Sequence, residues 1–239
     1  MTASPGLTDR VAAEEARMLE IYAHRGYATA RDSWATAGHA FMLAQRDWEV
    51  LKALRGLGFM PLADRSILDV GCGTGSFLRD VMRWGANPAR LAGVDLRPAP
   101  LEIARRTLPA EVKLFRESAT ALPFPDASFD LVMQASVITS IKDPAVRARV
   151  TAEMARVVKP GGAILWFDFR YNNPWNPNVW GMSRRDIQEL FPGAKISLQS
   201  VCLAPVFSRA IAGRFWYLAT LLTLFPPTRS HYVGVIRPA

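Results

Sequence analysis

Between Ser66 and Phe169, short apolar runs alternate with segments whose apolar residues recur at helical spacing. The apolar runs predict strands, and the periodic segments between them predict helices. Because strands and helices alternate, we expect a parallel sheet covered by helices on both faces. The predicted strands cover 66–70, 90–96, 112–118, 129–135 and 161–169, and the predicted helices cover 76–85, 99–108 and 144–158.

The alternation stops after Phe169. Residues 170–182 contain two Pro and four Asn, which predicts a long loop after a strand end. The later pattern adds two strands around a helix, so the sheet is predicted to have seven strands. These later elements are a short helix from Ser183, a strand at 195–203, an apolar helix near 208–224 and a last strand at 231–238.

Two helices are predicted before the alternation begins, at 8–22 and 39–57. The segment between them is rich in Ala, Gly and Tyr and is expected to be irregular. Because no repeat or low-complexity tract divides the rest of the chain, we expect one compact domain over 66–239. Residues 1–65 are expected to form a helical lid or appendage packed over that domain.

Composition favours a globular protein of the reducing cytoplasm. The chain has 239 residues, half of them hydrophobic, which is enough for a substantial core and excludes extended disorder. Cys72 and Cys202 cannot form a disulfide scaffold, and neither lies in a cluster of metal ligands, so no metal is expected. The start of the chain lacks the basic and apolar regions of a signal peptide, so a cytoplasmic location is expected.

The net charge of +8 is concentrated toward the end of the chain. Residues 171–239 contain seven basic and two acidic residues, which accounts for +5 of the excess. Two interpretations remain open for this Arg-rich composition. One is a general compositional bias, and the other is an anionic partner such as a phosphorylated substrate, a membrane surface or nucleic acid.

The sequence LDVGCGTGSF at 68–77 joins a predicted buried strand to a predicted helix. Gly71, Gly73 and Gly75 permit a tight turn that a ligand can approach closely, since glycine has no Cβ. The N–H groups at the start of the next helix favour an anionic or electron-rich group. The spacing G-x-G-x-G differs from the G-x-G-x-x-G of dinucleotide sites, which argues against a dehydrogenase.

Two acidic residues flank this turn. Asp69 precedes Gly71, and a carboxylate pointing into the crevice would repel a pyrophosphate but suit an ammonium group. Asp95 ends the next predicted strand, where it can accept hydrogen bonds from both hydroxyls of a ribose. Together they favour a ligand with a nucleoside at one end and a cationic amino group at the other. S-adenosylmethionine (SAM) fits this description, and NAD does not.

Four motifs occur in order over about 65–170: LDVGCGTG, VDL, ALPFPDASFDLV and RVVKPGGAILWFDF. In these motifs the chain resembles class I SAM-dependent methyltransferases. More weakly, the whole chain is similar to methyltransferases of the type-11 kind that occur with bacterial surface-glycan and secondary-metabolite genes. The resemblance implies a Rossmann-like, seven-stranded, mostly parallel sheet with helices on both faces, a final antiparallel strand and the N-terminal helical appendage.

The resemblance also implies which residues bind the cofactor. The glycine turn would line the methionine part of SAM, with Asp69 near its amino group. Asp95 would hold the ribose and Leu96 would pack on the adenine. Where the family often has an Asp before L-P-F, this chain has Ser118 and Ala119. The cofactor-binding residues implied are Asp69, Gly71, Cys72, Gly73, Gly75, Asp95, Leu96, Ser118, Ala119, Gln134 and Ala135.

The sequence is less informative about the catalytic base. Related enzymes commonly have His after the fourth strand, but here 137–140 reads Val-Ile-Thr-Ser, and no N-P-P-Y motif is present. Asp168, at the end of the fifth predicted strand, and His24, in the irregular N-terminal segment, are therefore the candidate catalytic residues. His39 is expected at the surface, and His231, at the start of the last strand, is expected far from the crevice.

The loop after Phe169 offers aromatic and amide groups that suit a hydroxylated acceptor such as a sugar. Tyr171, Asn172 and Trp175 are the candidate substrate-binding residues, and the alternative is a Pro-fixed connection whose Trp residues cap the core. The apolar segment 211–225 is too short to span a bilayer, which needs about 20 residues. We expect this helix to be buried against the sheet. The alternative is an interfacial helix over 208–225, aided by Arg209 and Arg214, that contacts a membrane peripherally.

The sequence therefore predicts a SAM-dependent methyltransferase that acts on a small-molecule or glycan acceptor, with oxygen as the expected acceptor atom and S-adenosylhomocysteine as the second product. Three alternatives remain open: a SAM-binding interaction protein without methylation activity, a methyltransferase acting on RNA, and one acting on a lipid-linked acceptor. Nucleic acid is not the expected partner, because charge alone suggests it. The pattern leaves the oligomeric state undetermined.

Overall fold

The computed structural model describes residues 6–23, 36–172 and 176–239. Its centre is a seven-stranded sheet in the order β3-β2-β1-β4-β5-β7-β6. All strands but β7 run parallel, and β7 is antiparallel to both of its neighbours, β5 and β6. The strands are β1 (Ile67–Val70), β2 (Leu91–Val94), β3 (Lys113–Phe115), β4 (Phe129–Ala135), β5 (Val158–Phe169), β6 (Lys195–Leu203) and β7 (Arg229–Arg237).

Eight α-helices surround or flank this sheet in the described part of the chain. Several begin at the caps that the sequence provides, since the Asp143 side chain accepts from the N–H groups of Ala145 and Val146, and Ser183 forms a capping box with Asp186. The helices are α1 (Leu7–Ala23), α2 (Ala37–Gly56), α3 (Ser76–Arg83), α4 (Pro98–Thr107), α5 (Pro144–Val157), α6 (Arg184–Leu190), α7 (Pro205–Ile211) and α8 (Trp216–Thr223). The predicted fold class, an α/β sheet with a final antiparallel strand, is confirmed.

Alternate residues of the central strands enter two hydrophobic cores, one on each face of the sheet. In β4, Leu131 and Met133 join the core beneath α2 and α3, whereas Val132 joins the core beneath α5 and α6. In β5, Phe167 joins the core beneath α2 and α3, and its neighbour Trp166 joins the core beneath α5 and α6. Burial on both faces explains why these strands read as continuous apolar runs.

The two N-terminal helices lie on different faces of the sheet. Helix α1 lies beside α5, where the Arg10 guanidinium donates to the Asp143 carboxylate at 2.7 and 2.8 Å. Helix α2 places Val50 and Leu54, both fully buried, in the core on the other face. The boundary at residue 65 and the role of residues 1–65 as a lid stay predictions. Among the described residues of this segment, α1 lies over the strand ends.

The apolar segment after β6 differs from its prediction. It forms two short helices, α7 and α8, instead of one helix near 208–224, and Gly213 lies in the break between them. The expectation that its helix is buried against the sheet is wrong, because most of its large apolar side chains are exposed and only Ala219 in α8 is buried. None of the described helices combines the length and apolar character that crossing a bilayer requires.

Candidate functional site

The glycine turn follows β1, and its three glycines have positive φ angles of 70°, 53° and 75°. A Cβ on Gly71 would lie 2.4 Å from Cγ2 of Val137, and one on Gly75 would lie 2.6 Å from Cδ1 of Leu108. These two glycines therefore allow close packing of the turn against neighbouring segments. A Cβ on Gly73 would meet nothing closer than 3.6 Å, so Gly73 is the glycine that leaves open space in front of the turn.

Asp95 and Arg97 together connect this turn to helix α1. The Gly73 N–H donates to Oδ2 of Asp95 at 2.8 Å. The Arg97 backbone N–H and Nε donate to Oδ1, and Nη2 donates to Oδ2, each at 2.9 Å. The Arg97 guanidinium also lies over the ring of Tyr22 in α1, 4.6 Å from its centroid. These contacts place the Asp95 carboxylate at the centre of a crevice between the strand ends and α1.

A cavity of about 270 Å³ fills this crevice at the carboxyl ends of β1, β2 and β4. In open parallel sheets, ligands bind at this edge. Helix α1 covers the cavity with Glu14, Met18 and Tyr22, contributions that no motif in the sequence revealed. Six of the predicted cofactor-binding residues line it: Gly71, Asp95, Leu96, Ser118, Ala119 and Ala135.

The other five predicted cofactor-binding residues are not in the cavity lining, and their binding roles stay predictions. Gly73 and Gly75 belong to the turn described above. Cys72 is buried, its Sγ lies 2.8 Å from where a Cβ on Gly93 would be, and burial raises the pKa of its thiol. The side-chain oxygen of Gln134 accepts from the Val137 N–H at 3.1 Å, and the same side chain lies beside the Asp168 carboxyl, whose pKa it lowers.

Asp69 does not occupy the position that the charge argument assumed. Its side chain is buried behind the turn and does not line the cavity. Burial, followed by the nearby Asp95 charge, raises the pKa of Asp69 to about 8, so the group is mostly protonated at neutral pH. The expectation that Asp69 points into the crevice is wrong. Asp95 is therefore the carboxylate that determines the charge at the cavity wall beside the glycine turn.

The residues present fit SAM in two respects. Asp95 offers two carboxylate oxygens at the end of β2, where a ribose is held in related sheets. In front of the turn, the missing Cβ of Gly73 leaves space in which a ligand can approach the backbone closely.

Four N–H groups already donate to the Asp95 carboxylate, and they limit how a ribose can bind there. A carboxylate has about four acceptor positions, and Gly73 and Arg97 together occupy that number. The hydroxyls of a ribose can therefore bind both oxygens only after the Arg97 side chain has moved away.

Replacing Arg97 by Met should therefore strengthen SAM binding by about twofold to tenfold, the equivalent of one hydrogen-bonding interaction. Calorimetric titration of SAM measures this change. Arg105→Met, which removes an exposed guanidinium from α4, is the matched control and should leave the affinity unchanged. Weaker binding by Arg97→Met would instead show that Arg97 contacts the cofactor.

Asp168 is fully buried and lines none of the cavities described here. It accepts hydrogen bonds from the side chain of Thr139, from the Thr139 N–H at 3.1 Å and from the Phe169 N–H at 3.0 Å. Burial raises its pKa to about 6, and the hydrogen bonds from Thr139 oppose that rise. Asp168 thus ties the end of β5 to the turn after β4, and its predicted catalytic role is not supported by direct access to a cavity.

A second cavity of about 180 Å³ adjoins the first and shares Ser136 with it. Phe167 and Phe169 from the end of β5 line this cavity, together with His39 from the start of α2 and His231 from β7. The expectation that His231 lies far from the crevice is wrong. Because β7 is antiparallel, its first residues lie at the carboxyl edge of the sheet, where His231 pairs with Phe169.

His231 is buried in an aromatic setting. Its ring lies 4.7 Å from that of Phe167 and 4.0 Å from that of Phe169, and its Nδ1 is 2.8 Å from the Ser230 Oγ. Burial lowers the pKa of His231 to about 3, so the imidazole is neutral at physiological pH. A neutral, stacked imidazole suits contact with an uncharged acceptor rather than with an anionic one.

This lowered pKa predicts a pH-dependent stability. Because the folded-state pKa lies below the unfolded value, the contribution of His231 is complete above about pH 6.5 and is lost as the pH falls toward 3. Between pH 7.5 and 5.5, the wild-type protein should lose about 1.4 kcal/mol more unfolding free energy than His231→Gln. Urea unfolding of both proteins at the two pH values tests this, and equal losses would contradict the assignment.

A third cavity of about 660 Å³ lies beyond the second and shares Phe169 and Arg209 with it. The predicted substrate-binding residues Tyr171 and Asn172 line this third cavity, next to Val206 and Phe207 of α7. Trp175 and His24, the remaining predicted site residues, lie outside the described residues. Within the described ranges, no group of His, Cys, Asp and Glu could hold a metal ion.

The comparisons with known proteins agree with this geometry. Residues 68–166 match the family described as a methyltransferase domain. A crystal structure of an S-adenosylmethionine-dependent methyltransferase from Mesorhizobium loti shares the fold, with a TM-score of 0.56, 20% identity, and coverage of 78% of this chain and 96% of that one. The family match covers 99 of the 239 residues, and the likeness to the solved structure shows that the chain has the fold of that methyltransferase.

Curated relatives match the same central part of the chain. A demethylmenaquinone methyltransferase of Tropheryma whipplei is 34% identical over 110 residues, which cover 46% of this chain and 44% of the relative. A malonyl-[acyl-carrier protein] O-methyltransferase of Serratia marcescens is 36% identical over 123 residues, which cover 51% of this chain and 44% of the relative. The chain thus spans less than half the length of these relatives.

Proposed function

We propose that this protein transfers the methyl group of SAM to a small-molecule acceptor and releases S-adenosylhomocysteine, with an oxygen atom as the acceptor. The observation that carries this proposal is the pair of adjoining cavities at the carboxyl edge of the sheet. The first contains the glycine turn and Asp95, and the second is lined by Phe167, Phe169 and two histidines. Ser136 lies on the wall of both, so a cofactor and an acceptor can meet there.

The chain's own residues hold and orient the reactants. Asp95 binds the ribose, and the turn at Gly71 and Gly73 brings the backbone close to the methionine part. Bound SAM supplies a methyl group that its sulfonium sulfur already activates. Alignment of an acceptor in line with that group can lower the barrier by about 7–11 kcal/mol, so positioning is the main task of the second cavity.

An alcohol or phenol acceptor must lose its proton as the new carbon–oxygen bond forms and the carbon–sulfur bond breaks. His39 lines the acceptor-side cavity and is our candidate for the group that takes this proton. His231 is less suited, because its pKa is lowered to about 3 and its Nδ1 is already engaged by Ser230. His24 stays a predicted alternative, and Asp168 is proposed as a positioning residue behind the cavities.

The acceptor class is supported by the cavity walls and by the relatives. The reported relatives are named for demethylmenaquinone and for malonyl-acyl carrier protein, which favours a small molecule or a carrier-linked group. Tyr171 and Asn172 line the third cavity, where an aromatic ring and an amide would suit a glycan-type acceptor. We further propose a cytoplasmic protein that contacts membranes peripherally through 208–225.

Transfer from labelled SAM in extracts of the producing cell tests the proposed function. We expect one labelled small molecule whose added mass corresponds to one methyl group, and no label with Gly73→Arg in the same extract. Labelling of RNA instead would reassign the acceptor. SAM binding by calorimetry without any labelled product would contradict methyl transfer and favour a SAM-binding interaction protein.

Replacing Asp168 by Asn tests the positioning role. The variant should lower kcat by about tenfold to a hundredfold, because the turn after β4 and the end of β5 would shift by a fraction of an ångström to one ångström. Its SAM affinity should stay within about twofold of wild type, since Asp168 touches neither cavity. Asp126→Asn, which changes an exposed carboxylate, is the control. An unchanged kcat would leave Asp168 with a purely structural role.

A further inference from the structure

Helices α7 and α8 expose an unusually large number of apolar side chains. Tyr217 is 86% exposed, and Leu221 and Phe225 are each 62% exposed. Single exposed apolar residues are common, but contiguous groups of this kind mark a contact surface. We call this surface the α7–α8 face, and its members are Val206, Phe207, Phe215, Tyr217, Leu218, Leu221, Leu224 and Phe225.

The apolar residues of α8 lie on one side of an anchored helix. Tyr217, Leu221 and Leu224 follow each other at intervals of four and three residues, which places them in one row. On the opposite side, Ala219 is fully buried and Trp216 makes an edge contact with Phe41 of α2 at 4.6 Å between ring centroids. Helix α8 therefore cannot hide its apolar row by turning over without losing this packing.

Side chains beyond α8 also fix its last turn. Nε of Arg229 donates to the Thr223 carbonyl at 2.7 Å, and the Thr228 hydroxyl donates to the Leu222 carbonyl at 2.6 Å. Carbonyls at the end of a helix lack partners inside it, so these bonds stabilise the helix end. The exposed row is consequently a preformed surface.

Two basic side chains lie on this part of the chain. No acidic residue follows Glu189 in the sequence, whereas Arg209 and Arg214 are exposed on and between the two helices. Basic residues beside an apolar surface are attracted to the negative potential of anionic lipids. Tyr and Trp side chains favour the boundary between hydrocarbon and water.

We propose that the α7–α8 face docks on an anionic lipid bilayer. A second copy of the chain is a poorer occupant, because α7, α8 and the turn between them contain Arg209 and Arg214 and no acidic residue that could pair with these arginines in the other copy. A bilayer accepts the apolar row in its outer hydrocarbon and the arginines at its headgroups.

Docking would also determine where the acceptor comes from, an inference that rests on the proposed function. Val206 and Phe207 belong both to the α7–α8 face and to the third cavity. Phe169 and Arg209 connect that cavity to the second one, and Ser136 connects the second one to the cofactor cavity. An amphiphilic acceptor, a lipid or a lipid-linked molecule, could enter along this apolar route while its anchor stays in the bilayer.

Sedimentation of the full chain with vesicles tests the docking. Vesicles of phosphatidylcholine with phosphatidylglycerol should bind the wild-type protein at low salt, and added salt or pure phosphatidylcholine should weaken binding. Leu221→Glu should reduce binding by about tenfold or more, since one large apolar contact is lost and a negative charge gained. Ile103→Glu is the matched control, because Ile103 is 37% exposed on α4, at the opposite edge of the sheet from α7 and α8.

Circular dichroism and SAM calorimetry on the same proteins show whether each variant is folded. Failure of the wild-type protein to bind the anionic vesicles, or equal losses for Leu221→Glu and Ile103→Glu, would overturn the docking proposal. A wild-type dimer that Leu221→Glu converts to monomer, without vesicle binding, would assign the face to a second copy. Vesicle binding by a protein that binds no SAM would instead contradict the proposed function alone.

Discussion

Replacing Gly73 by Arg should abolish SAM binding and leave the chain folded. A Cβ on Gly73 would lie 3.6 Å from Nη2 of Arg97 and 4.0 Å from Oδ2 of Asp95, so a side chain there extends into open space in front of the turn. The added guanidinium would fill the cofactor's space and compete for the Asp95 carboxylate. Calorimetric titration should therefore show no detectable binding, a loss of at least about a hundredfold, in line with about 3 kcal/mol for a charged hydrogen-bonding group.

The stability cost of this substitution needs its own control. Gly73 has a φ of 53°, which strains any residue with a side chain. Gly85 also has a positive φ, 98°, and nothing lies within 4 Å of where its Cβ would be. Gly85→Arg should therefore show a comparable loss of thermal stability while binding SAM like the wild type. Normal SAM affinity in a folded Gly73→Arg protein would place the cofactor elsewhere.

Replacing Asp95 by Ala should weaken SAM binding by about 1.5–3 kcal/mol, or about tenfold to a hundred-and-fiftyfold, because hydrogen bonds from a ribose to a carboxylate would be lost. Asp95 is buried at the end of β2 and lines the cofactor cavity. The same substitution removes the acceptor for the Gly73 N–H, so the turn itself should become less well ordered.

Asp126→Ala provides the comparison for this variant. Like Asp95, Asp126 is paired with an arginine, Arg156, but it is largely exposed and distant from the cavity. Its replacement should leave SAM affinity within about twofold of wild type, as expected for surface substitutions. An effect of only a few tenths of a kcal/mol for Asp95→Ala would mean that the ribose does not lie at the end of β2.

Much of the fold follows from local pattern. Strand β4 has the bounds that its apolar run predicts, because residues buried on both faces leave a continuous signal. Strand β6 also has its predicted bounds, although only one of its first six residues is buried. The glycine turn and Asp95 could be found because each lies next to a strand end in the sequence. Their proximity in space then follows from parallel pairing of β1 with β2.

The remainder depends on contacts between distant segments. The position of His231 requires knowing that β7 runs antiparallel, and the burial of Asp69 behind the turn requires the packed core. Hydropathy gives the apolar character of α8 but does not indicate whether another element covers it. Helix α1 could not be placed over the cavity from its own sequence, because the Arg17 contact to the Ser140 carbonyl joins residues far apart in the chain.

Because β7 lies between β5 and β6, the sheet cannot be completed before residues 229–237 have been synthesised. Strand β6 pairs with β7 and with no other strand of the described residues, although it precedes β7 in the sequence. On the ribosome, β1 to β5 can therefore assemble while β6 must wait with unpaired edges until residues 229–237 have emerged. During that interval a nascent chain exposes both the free edge of β5 and the apolar helices that follow β6.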